Sequence, residues 1–313
     1  MRWIGPDALE AALEFPSLIE ALRRAFQKGV TLPPRHHYSI KAPLGPESDL
    51  LLMPAWQAGE AIGVKIVSVF SSNAQLELPA VSGVYVLLDG KTGQPLALMD
   101  GARLTLWRTA AASALAAHYL ARPDARKFLM VGTGALAPYL IKAHATVRPM
   151  TEVTIWGRNH AKAKELAKRL VNQPYRVRAV ENLEAATRIA EVISCATLST
   201  TPLIQGAWLT PGTHLDLVGG FRPTMREADD TAIRRSRIFV DTLEGATTEA
   251  GDIVQPLQSR VLKKQDIIAD LFVLARRDSL ARLASEEITL FKSVGTAIED
   301  LAAAQLVAKK LLQ

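Results

Sequence analysis

The chain contains only one cysteine, Cys195, among its 313 residues. A single cysteine can form neither an internal disulfide nor a zinc site that needs several thiolates. Cys195 lies in the apolar segment 192–196, which is typical of a buried strand, so we interpret it as a packed thiol and not as a nucleophile. The six histidines show no metal-ligand spacing, because the adjacent His36 and His37 would point to opposite faces of a strand. No metal site is predicted.

Long hydrophobic runs are missing as well. No apolar stretch reaches the ~18 residues that a membrane-spanning helix requires, and residues 1–6 lack the apolar core of a signal peptide. We therefore expect no membrane partner and a cytoplasmic location. The net charge of +6 comes from 37 basic and 31 acidic residues, and the basic ones are dispersed. Nucleic-acid binding is not predicted without a basic stripe and interleaved aromatic residues, and an enzyme acting on small anionic molecules fits better.

The pattern of elements changes along the chain. Residues 7–29 have the pattern of a helix, in which Pro16 suits a first turn. Strands are then predicted at 35–42, 49–53, 61–70, 81–88 and 95–99. The turn 89–93 joins the last two strands as a hairpin, which indicates a mainly antiparallel region.

After an Ala-rich helix predicted over 102–120, strands and helices alternate as far as residue 241. The strands are predicted at 126–131, 152–156, 175–180, 192–196, 213–218 and 237–241, and the helices at 135–147, 159–171, 182–189 and 224–235. Such alternation is typical of an α/β fold, in which helices cover both faces of a parallel sheet. A last strand at 288–291 leads into a terminal helix over 296–312.

The segment 127–137 reads as a short apolar strand, then Gly-x-Gly-x-x-Ala, then the start of a helix. This order is the phosphate-binding turn of a Rossmann dinucleotide-binding fold. Gly132 permits the tight turn, Gly134 lets the backbone approach a pyrophosphate, and Ala137 allows close packing of helix and strand. The N–H groups at the helix start would then bind the phosphates.

The next strand ends in a basic residue where NAD-binding folds have an acid. An Asp or Glu at that point, about 20 residues further on, binds the ribose 2′-hydroxyl. This chain has Arg158 there, with no carboxylate at Trp156, Gly157 or Asn159. Arg158 and Asn159 are the residues at this strand end that are predicted to bind the cofactor. A guanidinium cannot accept from a hydroxyl but pairs well with a 2′-phosphate. The sequence therefore predicts NADP(H) as the preferred cofactor and NAD(H) as the alternative.

Three basic residues lie where the pattern predicts burial. Arg35 begins the first strand after the N-terminal helix, Lys65 lies in an apolar strand, and Arg108 interrupts an apolar helix. A buried cation needs an anionic partner, either a protein carboxylate or a ligand, and few carboxylates lie near these residues in the sequence. Three converging cations would bind a substrate carboxylate, and burial would let Lys65 act as a general acid.

Eight ordered segments form a pattern over essentially the whole chain. They are Pro34-Arg35, Leu52-Met53-Pro54-Ala55, 63–67 (Gly-Val-Lys-Ile-Val), 92–95 (Thr-Gly-Gln-Pro), 106–112 (Leu-Trp-Arg-Thr-Ala-Ala-Ala), 132–134 (Gly-Thr-Gly), 211–214 (Pro-Gly-Thr-His) and 289–295 (Thr-Leu-Phe-Lys-Ser-Val-Gly), ending in Glu299-Asp300. With these segments the chain resembles the ornithine cyclodeaminase/mu-crystallin family. The combination of the segments that contain Arg108 and Ser293 is the most specific part of the resemblance.

The resemblance implies a Rossmann NAD(P)-binding domain over 112–294. It also implies an α+β substrate-binding and dimerisation domain, with antiparallel strands, built from 1–111 and 295–313, and hence a homodimer. In the family pattern, Arg35, Lys65 and Arg108 hold and polarise a small carboxylated amino- or imino-acid substrate. The implied cofactor-binding residues are Thr109, Gly132, Gly134, Ala135 and Leu136, with Thr197, Val218 and Ser293 near the nicotinamide.

Two departures from the family pattern narrow the expected reaction. Members that convert ornithine to proline carry Glu before Leu-Met-Pro and Asp after a Gly-Gly pair, whereas this chain has Leu51 and Phe221. Cyclodeamination needs an acid–base group for the substrate amines, and neither side chain can serve as one. Arg222-Pro223 and the Trp-Gly-Arg at 156–158 are more similar to mu-crystallin, whose relatives reduce cyclic ketimines with NADPH. We therefore expect an NAD(P)H-dependent reductase of a cyclic imino acid or a related 2-imino or 2-keto acid.

Two alternatives stay open. The overall resemblance allows an NAD-dependent ornithine cyclodeaminase, which releases ammonia. A protein of a different class would hold NADPH and a small carboxylated ligand without turnover. The acid–base pair discriminates among the three, because it is required for cyclodeamination, dispensable for hydride transfer and irrelevant to storage.

Overall fold

The computed structural model of the protein describes residues 1–41, 48–79, 81–279 and 281–312. The chain divides into two units, one of Met1–Thr109 with Thr296–Gln313 and the other of Ala110–Gly295. The sequence placed these boundaries at 111/112 and 294/295. Ala42, the last residue of the predicted strand 35–42, lies outside the described residues.

The first unit is built on a six-stranded sheet. Its strands are β1 (Arg2–Ile4), β2 (His36–Ile40), β3 (Ser48–Gln57), β4 (Ala61–Val69), β5 (Val81–Asp89) and β6 (Pro95–Asp100). They lie in the order β1-β6-β5-β4-β3-β2, and neighbours are antiparallel except β1, which runs parallel to β6. The predicted antiparallel region is therefore confirmed, as is the hairpin, whose turn is closed by Asp89 N donating to Gln94 O at 2.9 Å.

One face of this sheet is covered over its five strands other than β2. The register places Met53, Lys65, Tyr85, Met99 and Ile4 in one row across five strands, and each is at most 5% exposed. The terminal helix α11 (Ala297–Leu311) contacts β3, β4 and β5, and α2 (Phe15–Lys28) packs against α11. Because side chains alternate along a strand, every second residue of these strands is directed towards this core.

The N-terminal segment forms two helices where the sequence predicted one over 7–29. Helix α1 (Pro6–Ala12) ends before Leu13 and Glu14, which are extended, and α2 then begins at Phe15. Pro16 causes the break. In the interior of a continuous helix proline would lose a hydrogen bond and collide with the carbonyl four residues earlier, whereas it fits the first turn of α2.

The second unit contains an eight-stranded sheet in which all neighbouring strands are parallel. The strands are β7 (Lys127–Val131), β8 (Glu152–Trp156), β9 (Arg176–Val180), β10 (Val192–Cys195), β11 (His214–Leu217), β12 (Ser236–Val240), β13 (Ile267–Asp270) and β14 (Ile288–Lys292). Leu129, Ile193 and Leu215 of the central strands are 0% exposed, as expected for strands covered on both faces. The predicted parallel sheet is confirmed.

The helices of this unit follow the strands in the alternating order that the sequence predicted as far as residue 241. They are α4 (Ala137–Val147), α5 (His160–Arg169), α6 (Leu183–Ile189), α7 (Asp230–Arg235), α8 (Leu243–Glu249), α9 (Gly251–Gln258) and α10 (Leu271–Arg277), while α3 (Gly101–Leu120) crosses the boundary between the units. Helix α7 is shorter than the predicted 224–235, because Asp229 caps it by accepting from Ala232 N. No element was predicted for the stretch that forms α8, α9, β13 and α10.

The strand order of this sheet is β13-β12-β14-β11-β10-β7-β8-β9. The chain starts at β7 and builds first to one side, through β8 and β9, and then to the other, through β10 and β11. In open α/β sheets ligands bind outside the carboxyl ends of the strands at such a switch point. The carboxyl ends of β7 and β10 therefore mark the crevice in which a dinucleotide is expected.

Candidate active site

Two of the predicted cations converge on adjacent carboxylates in the first unit. Lys65 Nζ lies 2.7 Å from Asp300 Oδ2. Arg108 donates from Nε to Asp300 Oδ1 at 3.1 Å and from Nη1 to Glu299 Oε2 at 2.6 Å. All four side chains are buried. The anionic partners that these cations require are therefore protein carboxylates from the other end of the chain.

Three elements supply these side chains. Strand β4 carries Lys65 on its covered face, α3 carries Arg108, and α11 carries Glu299 and Asp300 in its first turn. Carboxylates are favoured in a first helical turn, because unpaired N–H groups and the helix dipole place positive charge there. The sequence noted Glu299-Asp300 only as part of the family pattern. The rule that a buried cation needs an anion was the signal that could have assigned them to the site.

The surroundings of Lys65 make its ammonium easier to deprotonate. Burial lowers the pKa of Lys65 to about 8, and the charges of Arg108 and Arg35 act in the same direction while Asp300 opposes them. A group with a pKa near 8 is protonated at neutral pH and can still give up its proton readily. Lys65 is thus suited to general acid chemistry.

Arg35 completes the set of predicted cations. It directly precedes β2 and is half-buried. If the pairing of β2 with β3 is continued by one residue, Arg35 lies opposite Met53, in the row that contains Lys65. Its charge contributes to the lowered pKa of Lys65. When all are ionised, Arg35, Lys65, Arg108, Glu299 and Asp300 together carry one net positive charge, which suits an anion with a single carboxylate.

Tyr85 lies next to Lys65 across the strand pair β4–β5. Its Oη is buried and has no hydrogen-bond partner among the described residues. Burial raises the pKa of Tyr85 well above its ordinary value, and the charge of Asp300 adds to this effect, so the phenol stays neutral. Gly63 provides the space for the ring, because a Cβ at that position would lie 1.8 Å from Tyr85 Oη.

The glycine turn after β7 lies in the second unit. Gly132 has a φ of 125°, which residues with side chains rarely adopt, and a Cβ there would lie 2.5 Å from Ala196 O. Gly134 is exposed, and among the described residues no atom beyond its chain neighbours lies within 4 Å of its would-be Cβ. Residues 135–136 precede the start of α4 at Ala137. This open backbone before a helix N-terminus fits a pyrophosphate.

The end of β8 adjoins this turn. Gly157 packs on Thr133, since a Cβ on Gly157 would lie 2.7 Å from Thr133 Cγ2. Arg158 follows and is exposed. Asn159 Oδ1 accepts from the backbone N–H groups of Ala161 at 3.0 Å and Lys162 at 3.4 Å, so this side chain caps α5. Arg158 is therefore the polar side chain here that could meet the 2′ position of a ribose.

Three further predicted residues share the carboxyl edge of the sheet. Thr197, Val218 and Ser293 follow the neighbouring strands β10, β11 and β14. Ser293 Oγ is buried and has no hydrogen-bond partner among the described residues. Thr109, the remaining predicted cofactor residue, is buried in α3 at the end of the first unit's N-terminal segment.

A buried carboxylate at this edge escaped the sequence analysis. Glu227 Oε1 accepts from both N and Oγ1 of Thr197 at 2.7 Å, and its Oε2 accepts from Gly219 N at 2.8 Å. The sequence predicted Glu227 as part of a helix over 224–235, whereas it lies in the loop before α7, so only its three-dimensional contacts reveal its role.

The two departures from the cyclodeaminase pattern are also located. Leu51 pairs with Val67 of β4. Because Val67 is two residues from Lys65 on the same strand, Leu51 lies on the face of the sheet that carries Lys65. Phe221 follows Gly219-Gly220 in the second unit, and the guanidinium of Arg222 lies 5.9 Å from the centre of its ring. Neither position offers a group that could exchange a proton.

The other chemistries considered from the sequence find little support. Cys195 is fully buried, and burial raises the pKa of its thiol well above the ordinary value, which confirms that it is a packed residue. In the part of the chain that the structure describes, no group of three or more His, Cys, Asp or Glu side chains could hold a metal ion. No helix within the described ranges has the length and apolar character needed to cross a bilayer.

The parallel sheet has a switch point, and a glycine turn precedes a helix there, so the second unit belongs to the dinucleotide-binding class of folds. Comparison with known proteins makes this more specific. The model of the ornithine cyclodeaminase/mu-crystallin family matches residues 8–313. The chain is 39% identical to a Delta(1)-pyrroline-2-carboxylate reductase of Colwellia psychrerythraea, over 99% of each chain. The chain therefore belongs to the ornithine cyclodeaminase/mu-crystallin family.

Two solved structures are similar over nearly the whole chain. The Delta(1)-pyrroline-2-carboxylate reductase of Thermococcus litoralis, in complex with NADH and L-proline, has a TM-score of 0.94 and 33% identity, covering 100% of this chain and 98% of that one. An archaeal alanine dehydrogenase dimer with bound NAD has a TM-score of 0.92 and 28% identity, covering 100% and 96%. These relatives confirm the predicted family, fold class and class of enzyme, an NAD(P)-dependent oxidoreductase.

Proposed function

We propose that the protein reduces the C=N bond of a cyclic imino acid with a reduced nicotinamide cofactor, and that Delta(1)-pyrroline-2-carboxylate is its substrate. The relatives of that name support the choice of ring. The observation that carries the proposal is the cluster of Arg35, Lys65 and Arg108 with Glu299 and Asp300. It leaves one positive charge for one substrate carboxylate and contains a lysine suited to protonate a nitrogen.

In this proposal Arg35 and Arg108 bind the substrate carboxylate. The contacts of Arg108 with Glu299 and Asp300 fix the plane of its guanidinium, which has five N–H donors and can serve several acceptors. Lys65 donates a proton from Nζ to the imine nitrogen as the C=N bond becomes a C–N single bond. Asp300 orients the ammonium, and its negative charge favours the return of a proton from the solvent to Lys65 after the transfer.

The cofactor site is proposed at the glycine turn. Gly132, Gly134, Ala135 and Leu136 would hold the pyrophosphate, and Thr197, Val218 and Ser293 would lie towards the nicotinamide. A bound reduced nicotinamide supplies the hydride for the imine carbon. The relatives with NADH and NAD support a nicotinamide cofactor, and we propose NADP(H) as the preferred form because Arg158 stands where a ribose-binding acid would otherwise lie.

The cofactor preference is tested with Arg158→Ala. The variant should lose about tenfold or more in affinity for NADPH, because a charge-assisted contact to the 2′-phosphate disappears, and change little towards NADH. Fluorescence titration with each cofactor measures both affinities. Arg169→Ala, an exposed arginine at the other end of α5, is the matched control and should leave both unchanged. Equal losses for NADPH and NADH in Arg158→Ala would contradict the preference.

The reaction itself is tested by mixing the protein with NADPH or NADH and a panel of cyclic imino acids, and following the absorbance of the reduced nicotinamide. Oxidation that depends on Delta(1)-pyrroline-2-carboxylate and disappears in Lys65→Met is expected. In parallel the protein is incubated with ornithine and NAD, and ammonia is measured. Ammonia at enzymatic rates would instead favour a cyclodeaminase, and tight NADPH binding without turnover would favour a storage role.

We also propose a homodimer formed through the uncovered face of the first unit's sheet. The row Pro54, Val64, Val86, Leu98 and Trp3 crosses five strands on this face, and none of the five is buried. An antiparallel sheet that faces water usually carries polar residues on that side, and contiguous exposed apolar surface marks an interaction site. The archaeal relative that is a dimer supports a second copy of the chain as the partner. A cytoplasmic location is proposed with it.

A further inference from the structure

A second group of buried charged side chains lies at the carboxyl edge of the parallel sheet, where the cofactor crevice is expected. The proposed reaction does not use these side chains. Glu227, Asp252 and Lys292 are each 0% exposed. Glu227 lies in the loop between β11 and α7, Asp252 in α9, and Lys292 at the end of β14. Lys292 Nζ is 3.3 Å from Asp252 Oδ2, and no described residue hydrogen bonds to it. Buried ionised groups are costly, so their presence at this edge of the sheet calls for a reason.

We propose that Glu227 is a positioning residue for the nicotinamide end of the cofactor site, which it shapes by tying together the loops after β10 and β11, and that Asp252 and Lys292 hold Glu227 in place. The proposal rests on the proposed nicotinamide-dependent function.

The Glu227 carboxylate joins two loops. Through Oε1 it accepts from N and Oγ1 of Thr197, after β10, and through Oε2 from Gly219 N, after β11. The two loops also touch directly, because a Cβ on Gly219 would lie 2.1 Å from Thr197 O and 2.4 Å from Glu227 Oε1. Any residue but glycine at position 219 would push these loops apart.

The loop after β10, which Glu227 holds, also supports the phosphate-binding turn. Ala196 immediately precedes Thr197, and its carbonyl oxygen lies where a Cβ on Gly132 would otherwise stand, 2.5 Å away. The backbone that Glu227 holds therefore packs against the first glycine of the turn. A shift of this loop would change both the turn and the residues proposed to lie near the nicotinamide.

Glu227 is itself held in place by Asp252. Asp252 Oδ1 accepts from Glu227 N at 2.8 Å and from Ala228 N at 3.0 Å. A Cβ on Gly220 would lie 2.6 Å from Asp252 Oδ2 and 3.4 Å from Lys292 Nζ, so the second glycine of the pair packs on the supporting ion pair. Thus the chain of contacts runs from Lys292 through Asp252 and Glu227 to Thr197 and Gly219.

The charges of the cluster make this support sensitive to pH. Burial raises the pKa of Glu227 to about 7; Lys292 opposes this rise and Asp252 reinforces it. Cys195 of β10 also faces the cluster and stays a neutral thiol, since burial and then the charges of Glu227 and Asp252 raise its pKa. Protonated Glu227 would set an O–H against donors from Thr197 or Gly219 and loosen the clamp. The ordered form is the ionised one, so it is lost as the pH falls below about 7.

Glu227→Gln tests the proposal, because the amide NH₂ replaces one acceptor with a donor. We expect kcat for imino-acid reduction to fall by about tenfold to a hundredfold, as for a small misplacement of reacting groups, with the KM for the imino acid little changed. We also expect the acid limb of the kcat–pH profile to disappear. A lower melting temperature with an unchanged kcat and an unchanged acid limb would show that Glu227 has only a structural role. That result would overturn the proposal.

Two further measurements test the positioning role of Glu227 if Glu227→Gln does not fold. Asp252→Asn removes a charge that raises the pKa of Glu227, so the acid limb should move to lower pH, and an unmoved limb would contradict the proposal. In the unaltered protein the affinity for NADPH should weaken below pH 7, and a constant affinity from acid to alkaline pH would contradict it. This binding measurement needs no imino acid, so it separates failure of the positioning role from failure of the proposed reaction.

The matched control is Asp216→Asn. Asp216 is an equally buried carboxylate of the same sheet, bound by Ser113 Oγ at 3.0 Å and Ser194 Oγ at 2.6 Å. It holds none of the loops that Glu227 joins. The acid limb should persist in this variant, and its loss here in place of the Glu227 variant would overturn the assignment.

Discussion

Lys65 is fully buried, with a carboxylate on one side and guanidinium groups nearby. These surroundings determine the pH range in which Lys65 is protonated. With a pKa of about 8, it is protonated at neutral pH and loses its proton as the pH rises. If it donates to the imine nitrogen, kcat/KM for the imino acid should fall tenfold per pH unit above pH 8, separately from the acid limb that Glu227 produces below about pH 7. Steady-state kinetics across this range measure the limb.

The control for this prediction is Lys65→Arg, which keeps the charge but cannot release a proton near pH 8. Its kcat/KM should be lower by about a hundredfold or more, and its pH profile should lack the alkaline limb. Lys91→Arg, an exposed lysine in the hairpin turn, should retain the limb of the unaltered protein. A wild-type limb in Lys65→Arg would exclude Lys65 as the proton donor.

Asp300 compensates two buried cations, so its removal should affect stability and titration together. Asp300→Asn should lower the free energy of unfolding by about 3–5 kcal/mol, because it leaves Lys65 and part of Arg108 unpaired. The alkaline limb should also move below pH 8, since Asp300 raises the pKa of Lys65. Urea unfolding and the pH profile give the two quantities. Glu184→Gln, which breaks an exposed pair with Arg188, should cost at most about 1 kcal/mol.

At this scale the sequence predicted the cations but not their partners. Lys65 and Arg108 stood out because each interrupts an apolar segment, which is a local signal. Asp300 lies 192 residues from Arg108 in the chain, so its role depends on how α11 packs on the sheet. Glu227 is the stronger case, since the sequence predicted it within a helix over 224–235, and only its contacts show that it is a buried residue of a loop.

The glycine turn and the helix that follows it give a prediction about an element. Gly132→Ala places a Cβ 2.5 Å from a backbone oxygen at a φ of 125°, so it should lower the free energy of unfolding by about 1–3 kcal/mol. Gly134→Ala enters open space and should leave stability within about 0.5 kcal/mol. It should nevertheless weaken NADPH binding by about tenfold, because the methyl group occupies the approach of the pyrophosphate.

Thermal or urea unfolding and fluorescence titration with NADPH distinguish the two variants. Gly134→Ala should therefore weaken NADPH binding while leaving the free energy of unfolding nearly unchanged. A variant that binds NADPH as tightly as the unaltered protein would show that the pyrophosphate does not approach Gly134.

The elements that the sequence predicted are those with a strong local signal. The strands around Lys65 and the turn at Gly132 have a clear period or a motif, and the structure has them within a few residues. The stretch after β12 was missed because its helices α8, α9 and α10 are only seven or eight residues long and, unlike the equally short α6, do not lie between two closely spaced predicted strands. Isolated helices of this length are unstable in water, and their stability comes from packing. Pro256 within α9 further conceals the helix.

At the scale of the whole molecule, the uncovered face of the first unit's sheet predicts the state of association. Ile66 lies on this face and is 36% exposed. Light scattering after size-exclusion chromatography should show a dimer for the unaltered protein and a monomer for Ile66→Glu, because a charge would be buried at the interface. Val171→Glu, at a more exposed position in the second unit, should remain a dimer. A monomeric unaltered protein would contradict the proposed interface.

The proposed reaction transfers a hydride from the reduced nicotinamide to the imine carbon of a cyclic imino acid. The most direct test is to follow the transferred hydrogen. The protein is supplied with Delta(1)-pyrroline-2-carboxylate and NADPH or NADH deuterated at the reactive carbon of the nicotinamide, and the product is examined by mass spectrometry and NMR. We predict proline that carries one deuterium at its α-carbon, and none from Lys65→Met at a comparable rate. Proline without deuterium, or no proline from either cofactor, would contradict the proposed reduction of the cyclic imino acid.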